Sequence, residues 1–423
     1  MIGSLLFLAL AAAPELLLPP WPLSPDGDVV AVRGAESLRA EGGAVEPVAP
    51  GLYRVAPAEG AAEVRLAAGA ATALARVEPP PATVSISFSP ASPVKGRHRE
   101  VALEIAVAAV PGGEPERRPP EILASSGRVR GIVPAGEGRF RGVFELPPTR
   151  HPEVAVLIAL SPRCPTCPTP RAVGYALVPL SAAIALPGTS DPGVKTTVVI
   201  GGRSFGPAVA DRAGRFTIPV VVPPGARAGI AESVDALGNR RRKEVDLHLP
   251  AVSRIGCEVW PRAVPADGRS RAAVWCVASS AAGEGEPDAR LALSARAGEI
   301  SPAAPFRGAL QRAAYRAPRG GGGADARILA EYPDGGPASR DEVRLSLATG
   351  APAEIVADVP GQPVALGATV PAQTAVRDGN GDVVGRPAGR PGATVGFVAP
   401  DRFVAPGEPG DYVARAPLAF ALA

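Results

Sequence analysis

Apolar and polar residues alternate along most of this chain with a period of two. Val84, Ile86 and Phe88 share one face, with Ser85, Ser87 and Ser89 on the other. Val101, Leu103, Ile105 and Val107 repeat the pattern, as do Phe216, Ile218 and Val220, and later Val343, Leu345 and Leu347. A period of two places successive side chains on opposite faces of a strand. Val245, Leu247 and Leu249 face inward in the same way, with Asp246 and His248 outward. The alternating runs are separated by turn signals such as Asp211–Gly214, Gly238-Asn239 and Pro333–Gly336. No segment longer than a few residues carries a helical period. Ala61–Ala75 is rich in a good helix former, but Gly69 and the alternation of Val64 and Leu66 favour strand. The pattern predicts an all-β chain of several small units, each built from short strands joined by Gly and Pro turns.

The longest readable unit runs from Arg290 to Leu347: strand, glycine turn, strand, a tyrosine with Ala-Pro after it, a glycine loop, strand, turn, strand. GEGRFRGVFELPPTRHPEVAVLIAL, further upstream, lies over PFRGALQRAAYRAPRGGGGADARILAEY, and Val154, Val156 and Ile158 match Ala326 and Ile328 in role. A glycine two residues before an aromatic recurs at Gly51-Leu52-Tyr53, Gly138-Arg139-Phe140, Gly214-Arg215-Phe216 and Gly410-Asp411-Tyr412. Such recurrence is the mark of a repeated unit. The predicted divisions are a leader at 1–20, a small β unit at 21–78, and further β domains at 82–180, 181–250 (a short variant), 251–350 and 351–423. Glu78-Pro79-Pro80-Pro81 is a stiff, extended linker.

The fourth unit, with VPADGRSRAAVWCVASS, LALSARAGEIS, YRAP and ADARILA, resembles bacterial Ig-like domains of the invasin and intimin kind. Val264–Gly268 is similar to that family's early Pro-Ala-Asp-Gly turn, and Asp378–Gly381 to its Asp-x-Asn-Gly turn. The resemblance implies tandem immunoglobulin-like β-sandwich domains in a linear array, strung as a stalk on secreted or surface proteins, often in adhesion. The chain lacks the membrane β-barrel segment and the lectin-like tip that such proteins can carry.

Composition adds compartment and excludes some partners. Gly and Pro number 49 and 51, close to the level of disordered chains. A net charge of only +3 and the ordered alternation speak for short strands instead. Lys95, Lys195 and Lys243 are the only lysines. The one dense basic run, Arg240–Lys243, follows a turn and reads as a solvated loop, so no nucleic-acid partner is expected. Ile2–Ala13 has the length of a signal-peptide core and is too short for a membrane span. Ala9-Leu10-Ala11 supplies a small-x-small cleavage site. The protein is therefore expected to be exported to the cell surface, the extracellular space or the periplasm. Apart from the leader, no segment is long and apolar enough to span a bilayer.

Export makes the four cysteines candidates for disulfides. Cys257 shares a strand phase with Ile255 and Val259, and Cys276 with Ala272 and Val274. A hairpin folded at Pro265–Gly268 sets the two cysteines opposite each other on an apolar face, within bridging reach. Cys164-Pro-Thr-Cys167 lies in a proline-rich loop. A thioredoxin-like site needs a helix there and a zinc site a second ligand pair, so a loop-pinning disulfide is the reading. Gly202-Arg-Ser204-Phe-Gly206 matches a nucleophile elbow in letters only, since a strand rather than a helix follows it. Asp378, Asn380 and Asp382 have the spacing that opens a calcium loop, but Val383 replaces the required glycine and a turn is the default. Trp260 and Trp275 lie opposite the cysteine phase. They read as packing beneath a neighbouring domain, or else as an aromatic pair for a glycan. No catalytic residue, cofactor or metal is expected. The chain reads as a non-enzymatic exported structural or binding protein of a bacterial envelope, adhesive or spacing in role. Its alternatives are a periplasmic scaffold and a polysaccharide-binding accessory.

Overall fold

The computed structural model describes residues 14–18, 23, 27–58, 60–77, 81–108, 116–161 and 169–350, then 352–358, 365, 369–371, 373–385, 392–393, 397–399, 402–404 and 414–415. The leader core, Trp21, Cys164, Cys167 and the last glycine-aromatic motif lie outside the described residues. The regular elements among the described residues are all strands, apart from one 3-10 turn at Pro333–Gly335. The all-β, Ig-like expectation describes it well.

The first unit is a two-sheet sandwich. One sheet runs Glu15–Leu17, Asp28–Arg33, Leu52–Pro57 and Gly43–Ala49, and the other Arg39–Glu41, Glu63–Ala68 and Ala71–Arg76. The alanine-rich stretch is thus a strand hairpin. Val30, Val55, Val64 and Leu66 fill the core at 0% exposure. Glu15–Leu17 pairs with Ala31–Arg33, so the unit begins inside the 1–20 stretch expected as leader. Cleavage at Ala9-Leu10-Ala11 leaves that strand in place, whereas cleavage at 20 removes it.

The second and fourth units are built alike. Glu100, Glu121, Gly127, Arg139 and Phe144 correspond to Arg271, Ala292, Gly298, Leu310 and Tyr315, each 171 positions further on. One contact explains why this spacing is held. Gly127 and Gly298 both have positive φ, at 78° and 79°. A Cβ on either would fall within 2.6 Å of the Phe144 or Tyr315 side chain. The aromatic ring lies under a backbone that only glycine lets so close. Tyr315 also donates from its hydroxyl to Ala297 O at 2.8 Å.

One phase differs from expectation. In Glu153–Ser161 the residues facing the unit's own core are Ala155, Leu157 and Ala159. Val154, Val156 and Ile158 are on the opposite face, so they do not play the part of Ala326 and Ile328.

The predicted division between the second and third units falls inside one strand. Ala172–Thr189 runs without interruption. Ala172–Leu180 pairs with Glu153–Ser161, and Ala182–Thr189 pairs with Arg215–Val222 of the third unit. The third unit closes with a second sheet in the order Arg203–Val209, Lys195–Ile200, Ala228–Val234, Arg240–Asp246. The basic run Arg240–Lys243 therefore sits on an edge strand and not in a loop.

The fourth unit pairs Ile255–Trp260 with Arg271–Ala278 and Leu310–Arg316 in one sheet. The other sheet contains Arg340–Ala348, Asp325–Glu331 and Ala292–Ala295. Beyond it, Pro352–Asp358, Gln373–Asp378 and Val383–Gly385 form a small sheet of the fifth unit.

Candidate functional site

Most strands in this protein are buried on one face. Those at the meeting of the second and fourth units are buried on both. Every residue of Glu153–Ser161 and of Ile255–Trp260 is buried, and so is Ala272–Ala278. One phase of each strand fills its own sandwich. The other phase forms a separate apolar cluster: Val156, Ile158, Leu160 and Val173 from the second unit against Trp260, Trp275 and Leu310 from the fourth. The two units therefore lie side by side, and the array folds back on itself here. The signal was in the sequence. VAVLIAL and AAVWCVA are continuous apolar runs, which is how a strand covered on both faces reads.

The tryptophans are the anchors. Trp275 is 0% exposed and Trp260 5%. Trp275 meets Phe306 edge to face at 5.0 Å, and the Arg312 guanidinium lies 5.4 Å from the Trp275 ring centre. Neither indole is open to a glycan, so the packing alternative is the one realised. The close approach depends on Gly256, where a Cβ would stand 2.8 Å from Val156 Cβ. Tyr175 Oη accepts from Ala309 N at 3.0 Å, and Arg307 Nη2 donates to Pro81 O at 3.1 Å across the same seam. Arg271 reaches further, donating to the Gly27 carbonyl of the first unit.

At the rim lies a cleft of about 400 Å³ lined by Ser125, Ile158, Glu258, Arg262 and Asp341. Arg262 contacts Glu121 of the second unit at 3.0 Å and Glu258 at 3.2 Å. Asp341 accepts from Cys257 N at 2.8 Å. Burial pushes the Glu258 carboxyl up. Arg262 opposes this, and the negative charge of Asp341 adds to it. Burial also pushes Asp341 up, against the amide hydrogen bonds that it accepts. A carboxyl raised in the folded state is more protonated there than in the unfolded chain. Its favourable contribution is therefore present at low pH and is lost as pH rises from the ordinary carboxylate value through the raised one. Glu258→Gln is expected to flatten that part of the pH–stability profile, read from urea midpoints at a series of pH values. An unchanged profile would remove Glu258 as its source.

Behind the cleft, Cys257 and Cys276 stand directly opposite each other in the strand register and are bonded, S–S 2.06 Å. The connection between them is not the tight hairpin expected. Ala263–Pro265 leaves to pair with Ser346–Ala348 in the other sheet, and the chain then turns at Asp267. The Asp267 carboxylate accepts from Arg269 N and Ser270 N, which gives the Pro-Ala-Asp-Gly motif its physical role. Removing both cysteines is expected to cost about 3 kcal/mol for a loop of this length. Denaturation of Cys257→Ala/Cys276→Ala against the parent measures it. Titration of the unfolded, unreduced protein should find no free thiol if Cys164 and Cys167 are bridged as well.

The remaining candidates fall elsewhere. Ser204 lies within the exposed edge strand Arg203–Val209, without the strand–turn–helix that an elbow needs. Asp378, Asn380 and Asp382 form a turn that joins the fourth and fifth units. Asp378 accepts from Asn380 N, Asp382 N and Gly350 N, and Asp382 from Gly321 N and Gly322 N. Their oxygens are directed at backbone amides, so these side chains serve as a joint. Among the described residues, no group of three or more His, Cys, Asp or Glu side chains is placed to hold a metal ion, and no helix is long and apolar enough to cross a membrane.

No protein-family model and no curated protein matches the chain. Solved structures similar to it include FdeC, an Escherichia coli adhesin, at 14% identity over 80% of this chain and 94% of that one, TM-score 0.22. Invasin, a bacterial integrin-binding protein, is 11% identical over 95% and 78%, TM-score 0.21. InvD of Yersinia pseudotuberculosis is 11% identical over 79% and 82%, TM-score 0.23. The chain is similar to bacterial adhesins. These are the kind of protein that the sequence of the fourth unit resembles. At such TM-scores the architecture rests on this chain's own sheets and cores.

Proposed function

We propose that this protein is a non-enzymatic, exported structural and binding protein of a bacterial envelope, in which locked Ig-like units serve as a spacer with adhesive surfaces. The observation that carries this reading is how its joints are built. A single strand, Ala172–Thr189, runs through two units. An apolar seam fastens the second unit to the fourth. The Asp378–Asp382 turn is hydrogen-bonded into the glycine loop of the fourth unit. Units joined in this way hold their outer faces at fixed separations, which is the property of a spacer and of little use to flexibly tethered domains. The polysaccharide-accessory alternative loses its motif, because both described tryptophans are buried.

Protease treatment of intact cells tests the reading. Digestion with a periplasmic control spared supports display at the surface. Protection until the outer barrier is opened favours the periplasmic scaffold. Fractionation with cytoplasmic markers overturns export and, with it, the oxidising setting on which both expected disulfides, Cys257–Cys276 and Cys164–Cys167, rest.

A further inference from the structure

The third unit carries a feature that none of the joints uses. Residues 236–244 form an unbroken run of nine exposed positions along one hairpin. Its tip holds Leu237, 88% exposed, the most exposed of the large hydrophobic residues described. Its outgoing arm is the edge strand Arg240–Asp246, which begins with Arg240, Arg241, Arg242 and Lys243. Between 181 and 250 there are nine Lys or Arg against six Asp or Glu, an excess equal to the +3 of the whole chain.

The tip is built rather than loose. Asp235 Oδ1 accepts from Leu237 N at 2.9 Å and Asn239 N at 2.8 Å, and its Oδ2 accepts from Asn239 Nδ2 at 2.7 Å. Asp235 N donates to Asn239 O, and Gly238 N to Asp235 O. The turn therefore fixes Leu237 outward, where it has no apolar neighbour to bury it. Successive residues of the strand point to opposite faces, so Arg240 and Arg242 flank one side of the blade and Arg241 and Lys243 the other. The acids in reach are few. Glu232 lies 3.8 Å from Arg242, Glu244 and Asp246 follow further down the strand, and Asp235 is committed to the turn.

We propose that this hairpin docks edge-on to an anionic lipid surface, with Leu237 entering the apolar boundary and Arg240–Lys243 among the headgroups. The dimensions agree. Four strand residues span roughly 10 Å, close to the depth of a headgroup layer plus the range of its field. Edge strands often carry charge to deter pairing. That purpose requires neither cations on both faces nor a leucine fixed at the tip. A soluble polyanion or an acidic peptide would account for the cations and leave Leu237 unexplained. The combination of an apolar point and a basic collar fits a membrane surface, and it places the spacer against a bilayer.

The test uses the full chain and sedimentation with vesicles of phosphatidylcholine alone or with three-tenths phosphatidylglycerol. Binding is expected only to the second, weakening as salt is raised. Changing Arg240, Arg241, Arg242 and Lys243 together to Gln should weaken it about six hundredfold, at roughly fivefold per cation. Leu237→Ser should weaken it about tenfold. Both variants alter only exposed side chains, and unchanged melting temperatures would verify the fold. Leu237→Trp offers a separate readout: its emission should shift to the blue with anionic vesicles and be quenched by brominated lipid. Equal binding to neutral vesicles, no binding, or no quenching of the introduced tryptophan would overturn the proposal. So would heparin binding that competes fully with vesicles and is indifferent to Leu237→Ser, which would make the hairpin a polyanion site.

Discussion

Trp275→Ala is expected to destabilise the fourth unit by about 3–5 kcal/mol and to free the second unit from it. Trp275 is fully buried, and its ring fills the seam with Phe306 and Arg312 around it. Truncation removes apolar area and leaves a cavity that rigid β-sheets on both sides cannot close. The Trp275 Nε1 finds no acceptor among the described residues. An unpaired buried donor costs free energy, so the indole is retained for its shape and bulk and not for its polar atom. Trp275→Phe should therefore cost much less, because it keeps an aromatic ring and removes the orphan donor. Urea unfolding of both variants gives the difference. Small-angle scattering should show a larger radius of gyration for Trp275→Ala alone. Compact scattering from a destabilised Trp275→Ala would mean that the seam is held by its rim, with the tryptophan a core residue only. Equal costs for Phe and Ala would mean that cavity filling is not the reason for the residue.

Lys95→Ala should cost about 3–5 kcal/mol, the usual penalty for stranding one member of a buried ion pair. Lys95 is 4% exposed and Glu153 9%, and Lys95 Nζ donates to Glu153 Oε1 at 2.6 Å and to Thr149 Oγ1 at 2.7 Å. Val94–Lys95 also pairs with Ser181–Ala182, at the point where the long strand passes from the second unit to the third. The charge pair thus sits at a joint. Burial alone would raise the Glu153 carboxyl, but hydrogen bonds from Lys95 and Thr149 hold it below its ordinary value. Burial pulls the Lys95 ammonium down, against the attraction of Glu153. A carboxyl depressed in the folded state contributes stability that is present above its unfolded pKa and lost as pH falls through the folded one. The parent should lose this increment below about pH 4, and Glu153→Gln should lack it. Replacing both partners by apolar residues of similar size should restore much of what Lys95→Ala loses. If the double variant is as unstable as the single one, the site needs the pair itself and not merely the absence of a stranded charge.

The cysteine register illustrates how far residue order reaches. Ile255, Cys257 and Val259 alternate, as do Ala272, Val274 and Cys276, and strand geometry places two such faces in contact wherever the strands pair. Alternation gives only the shared face; the opposition of the two cysteines is read from a hairpin at Pro265–Gly268, and it holds even though the connection leaves the sheet and returns. The same alternation located the cores of Val101–Val107 and Val343–Leu347. It does not identify the inward face of Glu153–Ser161, where Ala155, Leu157 and Ala159 fill the unit's own core and Val156 and Ile158 the seam. Both phases of that strand are apolar, and a period of two cannot tell which one faces home. The basic run reads as a loop for a related reason. Edge strands have little burial pattern, so Arg240–Lys243 resembles a loop when read as letters.

By itself, the sequence determined the elements: strands from alternation, turns from Gly, Pro and Asp, a repeated unit from aromatics recurring after glycine, and one cross-strand pair of cysteines. These are local properties, dictated by the geometry of a pleated chain over a few residues. The tertiary structure decided what lies between the units. It buried Trp260 and Trp275 under the second unit, carried one strand through a predicted boundary, and set Asp382 into a glycine loop some sixty residues upstream. It also left Leu237 and the side chains of Arg240–Lys243 exposed at an edge. Each of these depends on which outer faces meet, and that is settled by apolar area summed over residues far apart in the chain, where no local period records it.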